Sequence, residues 1–527
     1  MSRGGIFFYA SLAAWIGAAT LFAATDDRTP VCASCHPKET AAFLKSAMGN
    51  SLAPPTPIAG AHVNGKSPGT EMSITERDGR MIHSLSVNGL TAEHPVAYQI
   101  GAGKIGYTYA VHIGDYLFES PVSWYRAHGW DPSPGYANMS SVYFDRLIDS
   151  QCMFCHSGNA KFIGSDGRKI SGDALKPIGC DRCHGPSEEH VRQPSAKNIV
   201  NPAKLSGRAR NSVCEQCHLE GETRLLNPGK TWQDYHPGEE LERTAAIYLL
   251  TRNHQEVRAV AQPEQLAMSQ CVRASGGKLW CGTCHNPHRE TADRKAEIRG
   301  ICRSCHATLS KASHTGVIEC TSCHMPRLNA DDIPHTASTD HRILRRPAPL
   351  PEGATYGAEL AAWQDPPAQF RARDLAVASL IVGGTHGISS LHDSGAKMLE
   401  ALPKEEKRND PGVLSSLVSI GLQQRDFDQA KDYARRCLEA QPDSGFASLS
   451  LAIVLQNSGD DAAAERQFLH TIDLDPSLQP AWVNLVFLYD KQGRRADKQA
   501  LLDRYLRWNP QNIWFRQLKA MASRDAR

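Results

Sequence analysis

The feature that most constrains this chain is a five-residue pattern, Cys-x-x-Cys-His, which occurs seven times. The chain has 16 cysteines, and only Cys271 and Cys437 lie outside the pattern. Seven pairs of thiols, each followed directly by an imidazole, must be placed where they serve a cofactor rather than only a hydrophobic core. The rest of the chain can therefore be interpreted by asking how it supports seven such sites.

Cys-x-x-Cys-His is the attachment signature of c-type haem: the two thiols add to the haem vinyl groups, and the histidine binds one axial face of the iron. Zinc ribbons are the alternative, but they use two cysteine pairs per metal and need no fixed histidine. The sequence predicts seven covalent haems. The expected thioether cysteines are Cys32, Cys35, Cys152, Cys155, Cys180, Cys183, Cys214, Cys217, Cys281, Cys284, Cys302, Cys305, Cys320 and Cys323. The expected proximal iron ligands are His36, His156, His184, His218, His285, His306 and His324.

The second axial face of each iron needs its own ligand, and spare residues near the motifs are candidates. Met48 follows the first motif, and a thioether ligand would raise the haem potential, although a methionine can equally be packing. The other candidates are histidines that follow the third, fifth, sixth and seventh motifs. The predicted distal ligands are Met48, His190, His288, His314, His335 and His341.

The first 24 residues predict export from the cytoplasm. Arg3 precedes an apolar run over 6–24, which is typical of a cleaved signal peptide, although 19 residues are also near the length of a membrane anchor. Either reading places the remainder outside the cytoplasm, in the periplasm, on the membrane or at the cell surface. This agrees with the predicted haems, because c-type haems are attached there.

Residues 25–345 are predicted to form a heptahaem cytochrome c domain with little regular structure. Within it, alternating apolar residues between Gly, Asn and Asp turns predict a strand-rich insert over 50–150. The interval 219–270 was expected to be largely helical. Gly101-Ala-Gly-Lys-Ile-Gly106 matches the dinucleotide fingerprint by letter, but a strand is expected after it rather than a helix, so we predict no nucleotide site.

Beyond a Pro-rich linker predicted over 346–369, the chain becomes rich in helix formers. Pro442, Pro476 and Pro510 recur every 34 residues, the period of tetratricopeptide (TPR) repeats. We predict TPR repeats at about 411–444, 445–478 and 479–512 within a domain over 370–527; an ordinary helical bundle is the alternative. The expected fold class is therefore mainly α, with a multihaem domain followed by an α-solenoid.

Charge excludes one class of partner. Lys and Arg number 58 against 56 Asp and Glu, and no basic block stands out, so nucleic acid is not expected to bind. The propionates of bound haems would make the loaded protein acidic. The expected partner is a redox protein held by the repeats, with a membrane involved only if the N-terminal segment is retained.

These features resemble a bacterial family of multihaem c-type cytochromes fused to C-terminal TPR repeats, which is related distantly to the tetrahaem cytochrome of ammonia oxidisers and to pentahaem nitrite reductases. The resemblance is carried by Phe43–Leu52, Pro121–Tyr125, Pro134–Tyr136, Cys152–His156, Cys183–Pro186 with His190, Ser275–Lys278, Cys284–His288, and Cys323–Pro326 with Asp340–His341. It implies that His190 and His288 are distal ligands, and that Met48 stands where relatives often have histidine. The Cys-x-x-Cys-Lys motif that binds the catalytic haem of the nitrite reductases does not occur here, so their catalysis is not transferred.

The expected function is electron transfer through seven haems, with no catalytic residues assigned. The alternative is an oxidoreductase that acts on a small nitrogen or sulfur compound at one five-coordinate haem. A third reading, a repeat scaffold with structural haems, explains less of the sequence.

Overall fold

The computed structural model describes residues 29–524, apart from 59, 66–68, 137–138, 140–141, 173, 253–256, 290–293, 308–318 and 346–355. The predicted signal segment over 1–24 and His314 therefore lie outside the described residues. No helix among those described is long and apolar enough to span a bilayer.

The strand-rich insert predicted over 50–150 is confirmed as a curved antiparallel sheet of nine strands. Its hairpins follow from Asp78-Gly79 and Asn88-Gly89, whose positive φ angles suit the two-residue turns that match strand twist. The strands are β1 Leu52–Ala53, β2 Ala61–Asn64, β3 Thr70–Arg77, β4 Arg80–Val87, β5 Leu90–Ile100, β6 Gly106–Ile113, β7 Tyr116–Glu119, β8 Val122–Tyr125 and β9 Gly129–Pro132.

The order β2-β3-β4-β5-β6-β8-β9 brings the two end strands into contact, so the sheet is nearly closed. β1 pairs with β5 and β7 pairs with β6. Alternate residues such as Met72 and Ile74 of β3 point inward, where they pack on the buried Tyr109 and Val111 of β6. The strand that follows Gly106 excludes the helix that a dinucleotide fingerprint requires, as expected.

The cysteine–histidine motifs lie on short helices or end them. A spacing of three residues places the two cysteines of a motif on one face of a helical turn, from which both thiols can reach the same group. The helices of this region are α1 Thr29–Cys35, α2 Pro37–Phe43, α3 Ser150–His156, α4 Asp181–His184, α5 Glu188–Arg192, α6 Gly207–His218, α7 Gln262–Ala267, α8 Gln270–Ala274, α9 Cys281–Cys284, α10 Arg294–Cys305 and α11 Cys320–His324.

Strands occur in two intervals for which the sequence predicts something else: 219–270, predicted to be helical, and 346–369, predicted to be a linker. The hairpin β10 Phe162–Ile163 with β11 Lys169–Ile170 is followed by β12 Thr223–Leu226 and β13 Ala245–Arg252, in the interval 219–270 that was expected to be helical. A second hairpin, β14 Arg327–Asn329 with β15 Ala337–Thr339, follows the seventh motif. β16, Tyr356–Ala362, pairs with β13, so the predicted linker over 346–369 contains a strand of the sheet that β12 and β13 form.

The remaining helices form an α-solenoid of antiparallel pairs, and three of the pairs match the predicted repeats. They are α12 Arg371–His386, α13 Ser389–Ala401, α14 Glu406–Asn409, α15 Pro411–Gln424, α16 Phe427–Ala440, α17 Gly445–Asn457, α18 Asp461–Leu474, α19 Gln479–Lys491, α20 Arg495–Trp508 and α21 Ile513–Arg524. Side-chain caps at Asp410, Asp426, Ser444 and Asp460 begin four of these helices by accepting hydrogen bonds from backbone N–H groups. In the second repeat, the small residue Ala464 and the large residue Phe468 are both fully buried.

The solenoid packs directly on the rest of the molecule. Ile513 is buried in the core of the nine-stranded sheet, and Trp508 packs edge-on against Tyr116. The β10–β11 turn reaches the loop between α18 and α19, where Arg168 Nε donates to Asp475 Oδ2 at 2.7 Å. The repeats are therefore an integral part of one assembly, rather than a tail on a flexible linker.

Candidate cofactor-binding site

All seven motifs line one connected cavity of about 3810 Å³. Twelve of the fourteen motif cysteines and all seven motif histidines form part of its wall. Shared among seven motifs, this volume gives about 540 Å³ each, and a pocket for one drug-sized organic ligand has roughly 300–1,000 Å³. The space therefore fits seven large organic groups held side by side.

The charged side chains of the cavity wall are mainly basic. Twelve Lys or Arg residues line it against three acidic residues, Glu39, Asp181 and Glu297, although the whole chain is nearly balanced. The basic residues are Lys104, Arg182, Arg273, Lys278, Arg289, Arg294, Lys295, Arg299, Arg303, Arg327, Arg342 and Arg345. Such a wall complements anionic groups, and each haem carries two propionates. The chemistry of the wall thus fits the cofactor predicted from the motifs.

The zinc-ribbon alternative fails on geometry. A structural zinc site needs four ligands in a tetrahedral arrangement. Within the described residues, no three cysteine or histidine side chains of the motifs converge as such a site requires. The sixteen cysteines are also all free of disulfide bonds.

Three motif histidines each face a second histidine from a distant part of the chain. The ring centres of His36 and His190 are 6.3 Å apart, with planes at 20°. His184 and His288 are 5.9 Å apart at 17°, and His285 and His341 are 6.1 Å apart at 20°. In every pair, the first member is a predicted proximal ligand and the second a predicted distal ligand.

These separations match two imidazoles bound to opposite faces of one metal ion. Metal–nitrogen bonds of about 2.0–2.1 Å, with each nitrogen about 1.1 Å from its ring centre, place the two centres roughly 6 Å apart. Direct stacking contact would bring the rings much closer, as in His128 and His335 at 3.7 Å. Each of the three pairs therefore leaves room for one atom between its rings.

Hydrogen bonds to the outer ring nitrogen orient several of these imidazoles. His184 Nδ1 donates to the Val200 carbonyl at 2.7 Å, and His324 Nδ1 donates to the Leu344 carbonyl at the same distance. Among the distal candidates, His190 Nδ1 bonds the Ser195 carbonyl at 3.0 Å and His341 Nδ1 bonds that of Thr339 at 2.7 Å. A proton held on Nδ1 leaves Nε2 as a lone-pair donor, which is the usual arrangement of metal-ligating histidine.

Burial favours the neutral imidazole form of five of the predicted ligands. It lowers the pKa of His285 to about 4, with the neighbouring Arg294 guanidinium adding to the effect. Burial also lowers the pKa of His156, His218, His288 and His341. Neutral imidazole is the form that binds a metal.

Thiols of different motifs also lie close together. Hydrogen-bonding contacts join Cys32 to Cys180, Cys155 to Cys217, Cys214 to Cys281 and Cys302 to Cys320. The first motif therefore adjoins the third, the second adjoins the fourth, the fourth adjoins the fifth, and the sixth adjoins the seventh. Groups attached at these thiols would be immediate neighbours.

Two of the distal candidates, Met48 and His335, do not form such pairs in the structure. Met48 is half-buried and lines the cavity, but His190 is the side chain paired with His36. His335 lies outside the cavity wall and bonds Asp131 at the edge of the nine-stranded sheet. His314 is outside the described residues.

Sequence reasoning missed two contributors to the site. The basic wall went unnoticed because its residues are interleaved with other types rather than clustered. Gln262, whose side chain lies against His218, had no motif to mark it.

Comparisons with known proteins find similarity to solved structures over part of the chain. No protein-family model matches the chain, and no curated protein matches it. Solved structures similar to part of it include MamA of AMB-1, with 20% identity over 27% of this chain and 76% of MamA, at a TM-score of 0.23. YrrB, described as a TPR protein with an unusual peptide-binding site, has 18% identity over 28% of this chain and 76% of its own, at 0.23. PilF from Pseudomonas aeruginosa has 16% identity over 27% of this chain and 64% of its own, also at 0.23. With TM-scores this low, the similarities carry no further argument.

Proposed function

We propose that the chain is an exported electron-transfer protein that binds seven c-type haems through its Cys-x-x-Cys-His motifs. The observation that carries the proposal is the set of three imidazole pairs, each with room for one iron atom. The shared cavity and its basic wall support it, because they suit packed haems and their propionates. Bound there, haem supplies one-electron chemistry, and the protein sets the spacing, the axial ligands and the exposure.

The axial ligands then follow a regular rule. His190, after the third motif, serves the first haem; His288, after the fifth, serves the third; and His341, after the seventh, serves the fifth. Each of these haems takes its second ligand from the segment that follows the motif two places later. Bis-histidine ligation at these three sites makes them electron carriers rather than substrate sites.

The thiol contacts suggest a path for electrons. They join the first site to the third, the fourth to both the second and the fifth, and the sixth to the seventh. Cys183 also lies near Cys214, and Cys284 lies near Cys302, so the third site adjoins the fourth and the fifth adjoins the sixth. We propose that electrons move along this series, with the second haem as a side branch.

Haem counting and spin state test the proposal on the full chain. Purified protein should carry seven covalent haems by haemochrome assay and intact mass. His190→Ala should convert one low-spin haem to high-spin in the electron paramagnetic resonance spectrum, because the iron that His36 binds loses its second axial ligand. His236→Ala is the matched control, since His236 is exposed and outside the cavity wall. Absence of covalent haem would refute the proposal, and an unchanged His190→Ala spectrum would refute the ligand assignment.

A second function, an oxidoreductase with one open haem, is favoured by the surroundings of His156. No other imidazole among the described residues pairs with His156 in the manner of the three pairs. Its side chain lines the cavity, and its carbonyl accepts from Ser51 Oγ at 2.9 Å, next to the nine-stranded sheet. A high-spin haem in the wild type that binds nitrite or cyanide, and is lost in Cys152→Ala/Cys155→Ala, would support this function. Seven low-spin haems would exclude it.

We propose in addition that the solenoid binds a redox partner protein. Phe487 of α19 is 60% exposed and offers a large apolar side chain for a partner to contact. Phe487→Ser should weaken co-purification of a donor or acceptor from the native host without changing haem content. Equal recovery of that partner with the wild type and with Phe487→Ser would refute this role for α19.

A further inference from the structure

We propose that His128, Asp131 and His335 form a binding site for one divalent metal ion of the zinc type, separate from the seven haem motifs. One potential ligand atom from each side chain lies within 4.8 Å of the other two. His335 Nε2 and Asp131 Oδ2 are already 2.7 Å apart. Among the described residues, this is the one group of three His, Cys, Asp or Glu side chains that converge in this way.

The three residues come from distant parts of the chain. His128 lies in the turn between β8 and β9, Asp131 lies on β9, and His335 lies between β14 and β15, after the seventh motif. His335 has φ of +55°, a left-handed conformation that costs a non-glycine residue roughly 1 kcal/mol. The surrounding contacts thus hold His335 toward the sheet, in place of the haem-ligand role expected from its sequence position.

Two imidazoles and one carboxylate form a donor set that binds Zn²⁺ and related ions, with positions left for water. The rings of His128 and His335 are now parallel, 3.7 Å apart at 9°, so their in-plane lone pairs do not meet at one point. His128 is exposed, and rotation about its side-chain bonds can redirect its nitrogen at little cost. The side chains of His335 and Asp131 keep 27% and 33% of their surface exposed, and this is enough for an ion to reach them from solvent.

A simple ion pair is the competing explanation. Protonated His335 would bond Asp131 directly, with Tyr125 packed edge-on against its ring at 5.0 Å. That explanation gives His128 no role beyond stacking, whereas the metal site requires it. The two explanations therefore differ in the effect of replacing His128.

A bound ion would cross-link the nine-stranded sheet to the β14–β15 hairpin. Thr336, the residue after His335, lines the haem cavity. The ion would thereby hold the sheet against one edge of the cavity wall. This role needs no change in the redox chemistry and does not depend on it.

Zinc titration of the full-length, haem-loaded protein tests the proposal. After chelation and dialysis, isothermal titration calorimetry with ZnCl₂ should show one site per chain, and metal analysis should find one zinc per chain. His128→Ala, Asp131→Asn and His335→Ala should each weaken binding at least tenfold with the haem content unchanged. His62→Ala, an exposed histidine on β2, should bind zinc as the wild type does.

Unchanged haem content in the variants shows that they have folded, which keeps the comparison valid. The proposal is overturned if the wild type binds no zinc. It is also overturned if His128→Ala binds as tightly as the wild type, which would leave the ion pair as the explanation. Zinc should raise the thermal midpoint of the wild type and of His62→Ala, but not that of the three variants.

Discussion

Replacing Arg168 by Met should loosen the solenoid from the part of the chain that carries the Cys-x-x-Cys-His motifs. Arg168 Nε donates to Asp475 Oδ2 at 2.7 Å, its Nη2 donates to Ser477 Oγ at 2.8 Å, and its guanidinium lies 4.8 Å from the ring centre of Phe446. The Arg168 side chain is 15% exposed and that of Asp475 is 8% exposed. Methionine fills similar volume but leaves Asp475 as an unpaired, nearly buried carboxylate.

The magnitude follows from burial. Breaking a buried pair by removing one partner costs about 3–5 kcal/mol, and we take the lower end because Arg168 keeps some contact with water. A loss of about 3 kcal/mol raises the population of the opened interface roughly 100-fold, since about 1.4 kcal/mol is a factor of ten. Native-state amide exchange should show this as faster exchange at the start of α17, where Phe446 N donates to Asp166.

Lys169→Met is the matched control. Lys169 is the next residue in the chain, and its pair with Asp115 at 3.0 Å is exposed on both sides, so it should contribute under about 1 kcal/mol. In Arg168→Met/Asp475→Asn, neutralising the stranded carboxylate should restore part of the loss. Equal exchange in Arg168→Met and Lys169→Met would refute the reasoning, because burial would then not decide the effect.

Three further predictions concern other parts of the chain. Burial lowers the pKa of His83 to about 3, whereas the pKa of histidine in the unfolded chain is about 6.5. The free energy of unfolding is therefore unaffected by His83 above pH 6.5, and it decreases as the pH falls below that value because the unfolded chain takes up the proton more readily. Between pH 7.5 and 5, urea unfolding should show a decline about 2 kcal/mol smaller in His83→Phe than in the wild type; equal declines would contradict this. Many TPR repeats have an aromatic residue at the position of Gly421. Gly421→Tyr should nevertheless destabilise the solenoid by about 1–3 kcal/mol in urea unfolding, because even a Cβ at this position would lie 2.9 Å from the Cβ of Ala430. Met48→Ala should leave the low-spin haem spectrum intact, and loss of a methionine-to-iron band would show that Met48 is a ligand.

The sequence predicted the structure well wherever an element depends only on residues close to it in the chain. Asp78-Gly79 and Asn88-Gly89 specify hairpins within a few residues, and the proline period marks each helix pair. The motif spacing likewise places two thiols on one helical turn. None of these inferences needed to know what lies across the molecule.

The errors arose where distant partners decide the structure. An apolar run such as Ala245–Leu250 can form a buried helix or a buried strand, and pairing with β16 settled the choice. β16 was hidden because a Pro-rich stretch precedes it. The pairing of His190 with His36 was likewise beyond sequence reasoning, since nothing near either residue specifies the other.

The order of the histidine pairs has a consequence for how the protein matures. His36 precedes its partner by 154 residues, His184 by 104 and His285 by 56. If the haems are attached as the chain is exported, amino end first, the first haem has an open face for the longest time. Its iron is then the one most exposed to wrong ligands during synthesis, and every bis-histidine haem is completed only after a later motif has arrived. Among the three haems proposed to have paired histidines, truncation at the carboxyl end should therefore remove the second ligand of the fifth first, then that of the third, then that of the first.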